Sequence, residues 1–104
     1  MRMLTKLAGV TFENRQEHIN EFNPKCDTLL LKRDAENAYD ENAVLVTDDD
    51  DNDLGFLPAV IAKEIGPLMD QKKGKKLNVK FGSFNTSTNS LKTGMTVLIT
   101  DEKE

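Results

Sequence analysis

The chain has one cysteine, one histidine and no tryptophan among its 104 residues. Cys26 has no partner for an internal disulfide, and Cys26 with His18 falls short of the four ligands of a structural zinc site. No apolar run approaches the ~18 residues that a membrane span needs. The opening Met1-Arg2-Met3-Leu4-Thr5-Lys6 is broken by charge and lacks a small-residue cleavage site, which argues against a secretory signal. A soluble, cytoplasmic protein without membrane association is the expectation, and the lack of disulfides agrees with it. Catalytic patterns are missing too. There is no Gly-x-x-x-x-Gly-Lys-Ser/Thr, no Gly-x-Gly-x-x-Gly and no His-Glu-x-x-His, and no nucleophile has an evident base. The expectation is a non-catalytic protein that needs no cofactor and no metal. The length leaves room for one compact domain over residues 1–104 and excludes a motor, a kinase or a barrel enzyme.

Charge is present but unevenly spread. The formal net charge is −4, which at first argues against a polyanionic partner. Residues 1–52 carry six Lys and Arg against twelve Asp and Glu, whereas residues 71–100 carry six Lys and no acid. Either the two halves neutralise each other across a small domain, or the second half is an electropositive patch toward phosphates. The acidic run Asp48–Asp53 invites a calcium-loop reading, with Asp49, Asp51 and Asp53 at positions 1, 3 and 5. Leu54 then stands where glycine is required and Val60 where glutamate is required, so a solvated hairpin loop is the better reading.

Periodicity supplies the elements. Lys6–Phe12 reads as a first strand, close-packed or bulged at Gly9. Asn14 with Glu17 has capping-box spacing before a short helix over about 14–22, ended by Asn23-Pro24. Asp27–Arg33 and Ala43–Thr47 read as strands, the second β-branched, continuous and central. Leu54–Leu57 is its hairpin partner. Pro58 opens the main helix, over about 58–66, where Ile61 and Ile65 share an apolar face that Pro67 should interrupt. Lys76–Phe81 alternates strictly, and Thr96–Thr100 is a last strand after a polar loop around 85–93. The fold class is mainly β with helices, a small antiparallel barrel of about six strands.

The segment Asn37-Ala38-Tyr39-Asp40-Glu41-Asn42 is the most distinctive. It sets the single tyrosine of the chain among Asn and Asp directly before a central strand. Such a ring suits stacking on a nucleobase, with Asp and Asn bonding sugar hydroxyls or base edges. Equally, Asp40 and Asn42 could be turn residues bonding their own backbone, with Tyr39 a half-buried plug.

Several ungapped blocks occur in order: Leu29-x-Leu31-x-Arg33, Asn37-Ala38-Tyr39-Asp40-Glu41-Asn42-Ala43-Val44-x-Val46, Leu54-Gly55-Phe56-Leu57-Pro58-x-x-x-Ala62 and Ile65-x-Pro67-Leu68-x-Asp70. With Ala8-Gly9-Val10 near the start, the pattern resembles the HIRAN domain over about residues 6–100. The resemblance implies a modified OB-like β-barrel with helices. Members occur as accessory domains of helicase-like DNA-remodelling enzymes and as stand-alone bacterial or phage proteins, and the resemblance implies capture of single-stranded DNA at its 3′-hydroxyl end. Carried over by motif, Tyr39 stacks on the terminal base, Asp40 accepts from the 3′-hydroxyl, Asn37 helps hold the end, and Phe12 closes the other side of the base. Departures accompany the match. Thr11 stands where an arginine is expected, Phe56 replaces a histidine at the site, Ala59 stands at a basic position, and Ala38 replaces a proline. Lys72, Lys73, Lys75, Lys76 and Lys80 compensate where they face the same groove. The resemblance thus implies single-stranded DNA as partner, with a DNA-processing enzyme beside it. The acidic first half and the missing arginine motivate the alternative, a protein-interaction module that keeps the barrel and has lost DNA affinity.

Overall fold

A computed structural model describes residues 2–71, 77–87 and 90–101. Its elements are β1 (Arg2–Lys6), α1 (Arg15–Glu21), β2 (Leu29–Arg33), β3 (Val44–Asp48), β4 (Asp53–Phe56), α2 (Ala59–Asp70), β5 (Leu77–Ser87) and β6 (Ser90–Asp101). The strands form two antiparallel three-stranded sheets, ordered β1-β6-β5 and β2-β3-β4. The fold is mainly β with two helices, and an OB-like arrangement fits it. The six expected strands are present among the described residues as two sheets rather than one closed barrel.

Alternation explains one of the two central strands. Met95, Val97 and Ile99 on β6 are fully buried while their neighbours are half-buried, whereas β3 is buried almost throughout, at Val44, Val46, Thr47 and Asp48. Together with Ile19, Leu54 and Ile65 the apolar ones form a single core between the sheets and helices. The sheets are joined where the chain leaves β1. The Leu7 N–H donates to the Met95 carbonyl (2.9 Å), on one sheet. Ala8 and Phe56 then exchange two backbone hydrogen bonds of 2.7 and 2.9 Å, on the other.

Four expectations need correction. The first strand spans Arg2–Lys6 rather than 6–12, because Ala8 crosses to Phe56 and Gly9 turns the chain at φ +66. Only glycine takes that angle without strain. The main helix runs to Asp70, through Pro67. In the last turn the proline forfeits one bond to the Lys63 carbonyl, and Leu68 and Met69 beyond it pack on the core. The polar loop expected at 85–93 is a continuation of the β5–β6 hairpin, with Asn85 opposite Gly94 and Thr86 opposite Thr93. Backbone pairing does not require apolar side chains, so polar residues carry the ladder past the core. Finally, Asn14 makes no side-chain cap. The Arg15 N–H is instead taken by the Phe12 carbonyl (3.1 Å) in the preceding turn.

A candidate nucleic-acid interface

The Asp34–Ala43 loop is built by its own side chains. Asn37 Oδ1 accepts from the backbone N–H of Tyr39 (2.9 Å) and of Asp40 (3.0 Å), while its Nδ2 donates to Asp34 Oδ2 (3.1 Å). Asp40 Oδ1 accepts from the Asn42 N–H (2.9 Å). Short polar side chains bonding backbone two or three residues away fix such turns. The loop is then clamped from outside. Arg33, the last residue of β2, donates to the carbonyls of Glu41 (2.7 Å) and Ala43 (3.0 Å) and forks onto both oxygens of Asp70 (3.1 and 3.2 Å) at the end of α2. The same helix presses on the loop at Gly66, where a Cβ would stand 2.7 Å from the Asn42 carbonyl oxygen.

These restraints leave Tyr39 99% exposed, so it is not a half-buried plug. The second oxygen of Asp40 accepts nothing from the described residues. Asp40 and Asn37 thus do serve as turn residues, and Asp40 retains one unused acceptor.

Across from this loop lies Arg15, which opens α1. It shares the buried side of the helix with Ile19 and belongs to the least exposed polar residues, at 8%. Nε donates to Asp53 Oδ2 (2.8 Å), Nη1 to the Gly9 carbonyl (2.8 Å), and the guanidinium lies 4.9 Å from the Phe56 ring centroid and 6.0 Å from that of Phe12. His18 Nδ1 donates to the Asp53 carbonyl (2.7 Å), which requires the proton on that nitrogen. Burial alone pushes the Asp53 carboxyl up, but the hydrogen bond and charge of Arg15 outweigh it, helped by its own backbone and His18. The carboxyl is held below its ordinary 3.8. Gln16 completes the support, with Nε2 donating to the carbonyls of Val10 and Thr93 and Oε1 accepting from the Thr93 N–H.

Loop and helix enclose a cleft of about 410 Å³ lined by Phe12, Asn37, Tyr39, Asp40 and Phe56 together with Gly9, Glu13, Arg15 and neighbouring aliphatic residues. Five residues singled out in the sequence therefore meet in one place. Phe12, 65% exposed, and Tyr39 form the rim; Phe56 is half-buried, with the Arg15 guanidinium against its ring. Thr11 and Ala59 are exposed. Lys80, on β5, lines a different depression with Leu30, Leu68 and Met69. Lys72, Lys73, Lys75 and Lys76 lie outside the described residues. Sequence reasoning missed Arg15. The available signal was its i, i+4, i+7 spacing with Ile19 and Phe22, which puts a cation at a core-facing position of an apolar stripe.

Comparison with known proteins follows the same outline. No curated protein matches the chain. Among solved structures, it is similar to the HIRAN domain of human HLTF, with a TM-score of 0.69 at 24% identity over 96% of this chain and 74% of that one. That likeness establishes the fold. The family model for the HIRAN domain matches residues 4–101. This chain therefore belongs to the HIRAN domain family, whose members are nucleic-acid-binding domains.

Proposed function

We propose that the chain is a non-catalytic module that binds single-stranded DNA at its 3′-hydroxyl end, as an accessory to a DNA-processing enzyme in repair or remodelling. The observation that carries this reading is Tyr39, almost wholly exposed at the mouth of a cleft that also holds Phe12 and an underused Asp40. An aromatic ring held in water by a rigid loop gains by stacking on a base, and every base offers such a face. Phe12 supplies the opposing face. The unused Asp40 oxygen accepts from a terminal hydroxyl and repels a terminal phosphate, which turns charge into end selectivity. Asn37 acts through the loop, since its amide is committed to the backbone of Tyr39 and Asp40. Phe56 backs Arg15, and the lysines of the second half add diffuse attraction to phosphates.

The test is fluorescence anisotropy with a short oligonucleotide ending in a 3′-hydroxyl or a 3′-phosphate. The wild type should prefer the hydroxyl. Tyr39→Ala should weaken binding by roughly one to two powers of ten, the usual cost of losing a stacking platform. Asp40→Ala should reduce the preference between ends more than the overall affinity; equal weakening of both ends would remove its assigned role. One observation favours the alternative of a protein-docking module: the described lining carries two carboxylates, Glu13 and Asp40, against the single cation Arg15. On that reading a single-strand column retains neither the wild type nor any variant.

A further inference from the structure

Arg15 has one terminal nitrogen left over. Its Nε and Nη1 are engaged, whereas Nη2 donates to nothing among the described residues. None of the enclosed side-chain donors there lacks a partner, so Nη2 is not enclosed, and Arg15 is a lining residue of the cleft. Its charge is already answered by Asp53, which stays ionised because its pKa is held low. What Arg15 offers there is a directional N–H rather than a free cation.

Depth decides what that donor meets. Tyr39 and Phe12 are exposed at the rim, and Arg15 is buried at the floor. A terminal nucleotide whose sugar sits beside Asp40 turns the opposite edge of its base inward. That edge carries the 4-substituent of a pyrimidine or the 6-substituent of a purine. The substituent is a carbonyl oxygen in thymine and guanine, and an amino group in cytosine and adenine.

On the single-strand-end reading above, we propose that Arg15 selects a keto base, donating Nη2–H to O4 of a terminal thymine or O6 of a terminal guanine. An amino group at the same place sets donor against donor and leaves a dehydrated N–H without an acceptor. Placement on the floor, rather than at the rim beside the backbone, is what makes Arg15 a reader of bases rather than of phosphates.

The experiment uses four oligonucleotides that differ only in the 3′-terminal base, titrated at two salt concentrations against the wild type, Arg15→Lys and Arg15→Gln. Thermal melts establish that each variant is folded. Ends in thymine and guanine should bind on the order of tenfold more tightly than ends in cytosine and adenine, the effect of one hydrogen bond to a charged group. Both variants should lose that difference while still distinguishing 3′-hydroxyl from 3′-phosphate. A terminal 5-methyl-2-pyrimidinone, which lacks the O4 of thymine, gives the same answer on unaltered protein and should bind like cytosine. Equal binding of all four ends by the wild type would overturn base selection and leave end capture standing. So would an Arg15→Gln variant that keeps its base preference while its salt slope falls by about 0.7, the mark of one lost phosphate contact. Failure of the wild type to bind any oligonucleotide would remove end capture and base selection together.

Discussion

At the scale of the residue, Asp53 ties the site to pH. Folding lowers its pKa below 3.8, so the Arg15–Asp53 pair contributes fully above that value and is lost as pH falls through the lower folded value. The wild type should therefore lose melting temperature on acidification below pH 3.8. Asp53→Asn should start from a lower melting temperature and fall less steeply over the same range. Parallel curves would mean that the pair adds nothing to acid stability. Residue identity was also where the sequence spoke most clearly. Tyr39, Asp40 and Asn37 stood out as a lone ring among turn-forming side chains, and they do form a loop of that kind. What could not be read was which use of Asp40 prevails, because one carboxylate has room for both a backbone N–H and a further donor.

At the scale of the element, Gly66 controls the loop through α2. Gly66→Ala places a Cβ within 2.7 Å of the Asn42 carbonyl oxygen, and overpacking of this kind costs about 1–3 kcal/mol. Because the Asn42 N–H bonds Asp40 Oδ1, the displacement reaches the cleft. Gly66→Ala should lower both the melting temperature and the affinity for a 3′-hydroxyl oligonucleotide. Gly94→Ala is the control, since its Cβ would meet Asn85 at an ordinary 3.6 Å; it should change neither. Buried elements were legible from alternation at Val79 and Phe81 on β5 and from a continuous β-branched run at Val44 and Val46 on β3. The extension of β5 and β6 past the core was not, because the pairing of Asn85 with Gly94 and Thr86 with Thr93 is carried by backbone groups that every residue shares. Pro67 misled for a related reason. Its local cost is outweighed by the burial of Leu68 and Met69 beyond it.

At the scale of the whole molecule, both sheets depend on one core. Ile99 is fully buried on β6, the strand between β1 and β5. Truncating such a side chain costs roughly 2–5 kcal/mol, a large part of the ~5–15 kcal/mol that holds a domain together. Ile99→Ala should thus shift the denaturant midpoint sharply downward with an unchanged slope, showing the two sheets to unfold as one unit; separate transitions would show otherwise. The gathering of Phe12, Asn37, Tyr39, Asp40 and Phe56 belongs to this scale too. Nothing in their spacing along the chain sets Phe12 near Phe56, and only the ordered blocks of the family pattern suggested it. The physical cause is the crossing of the chain from one sheet to the other at Ala8.

That crossing also supplies a built-in gauge. The amides of Ala8 and Phe56 each donate to a carbonyl on the far side of the seam, unlike the ladder amides within either sheet. Their hydrogen-exchange rates therefore follow the parting of the two halves rather than fraying at a strand end. A ligand wedged between Phe12 and Tyr39, whether nucleotide or peptide, registers at those two amides before any other probe needs to be attached.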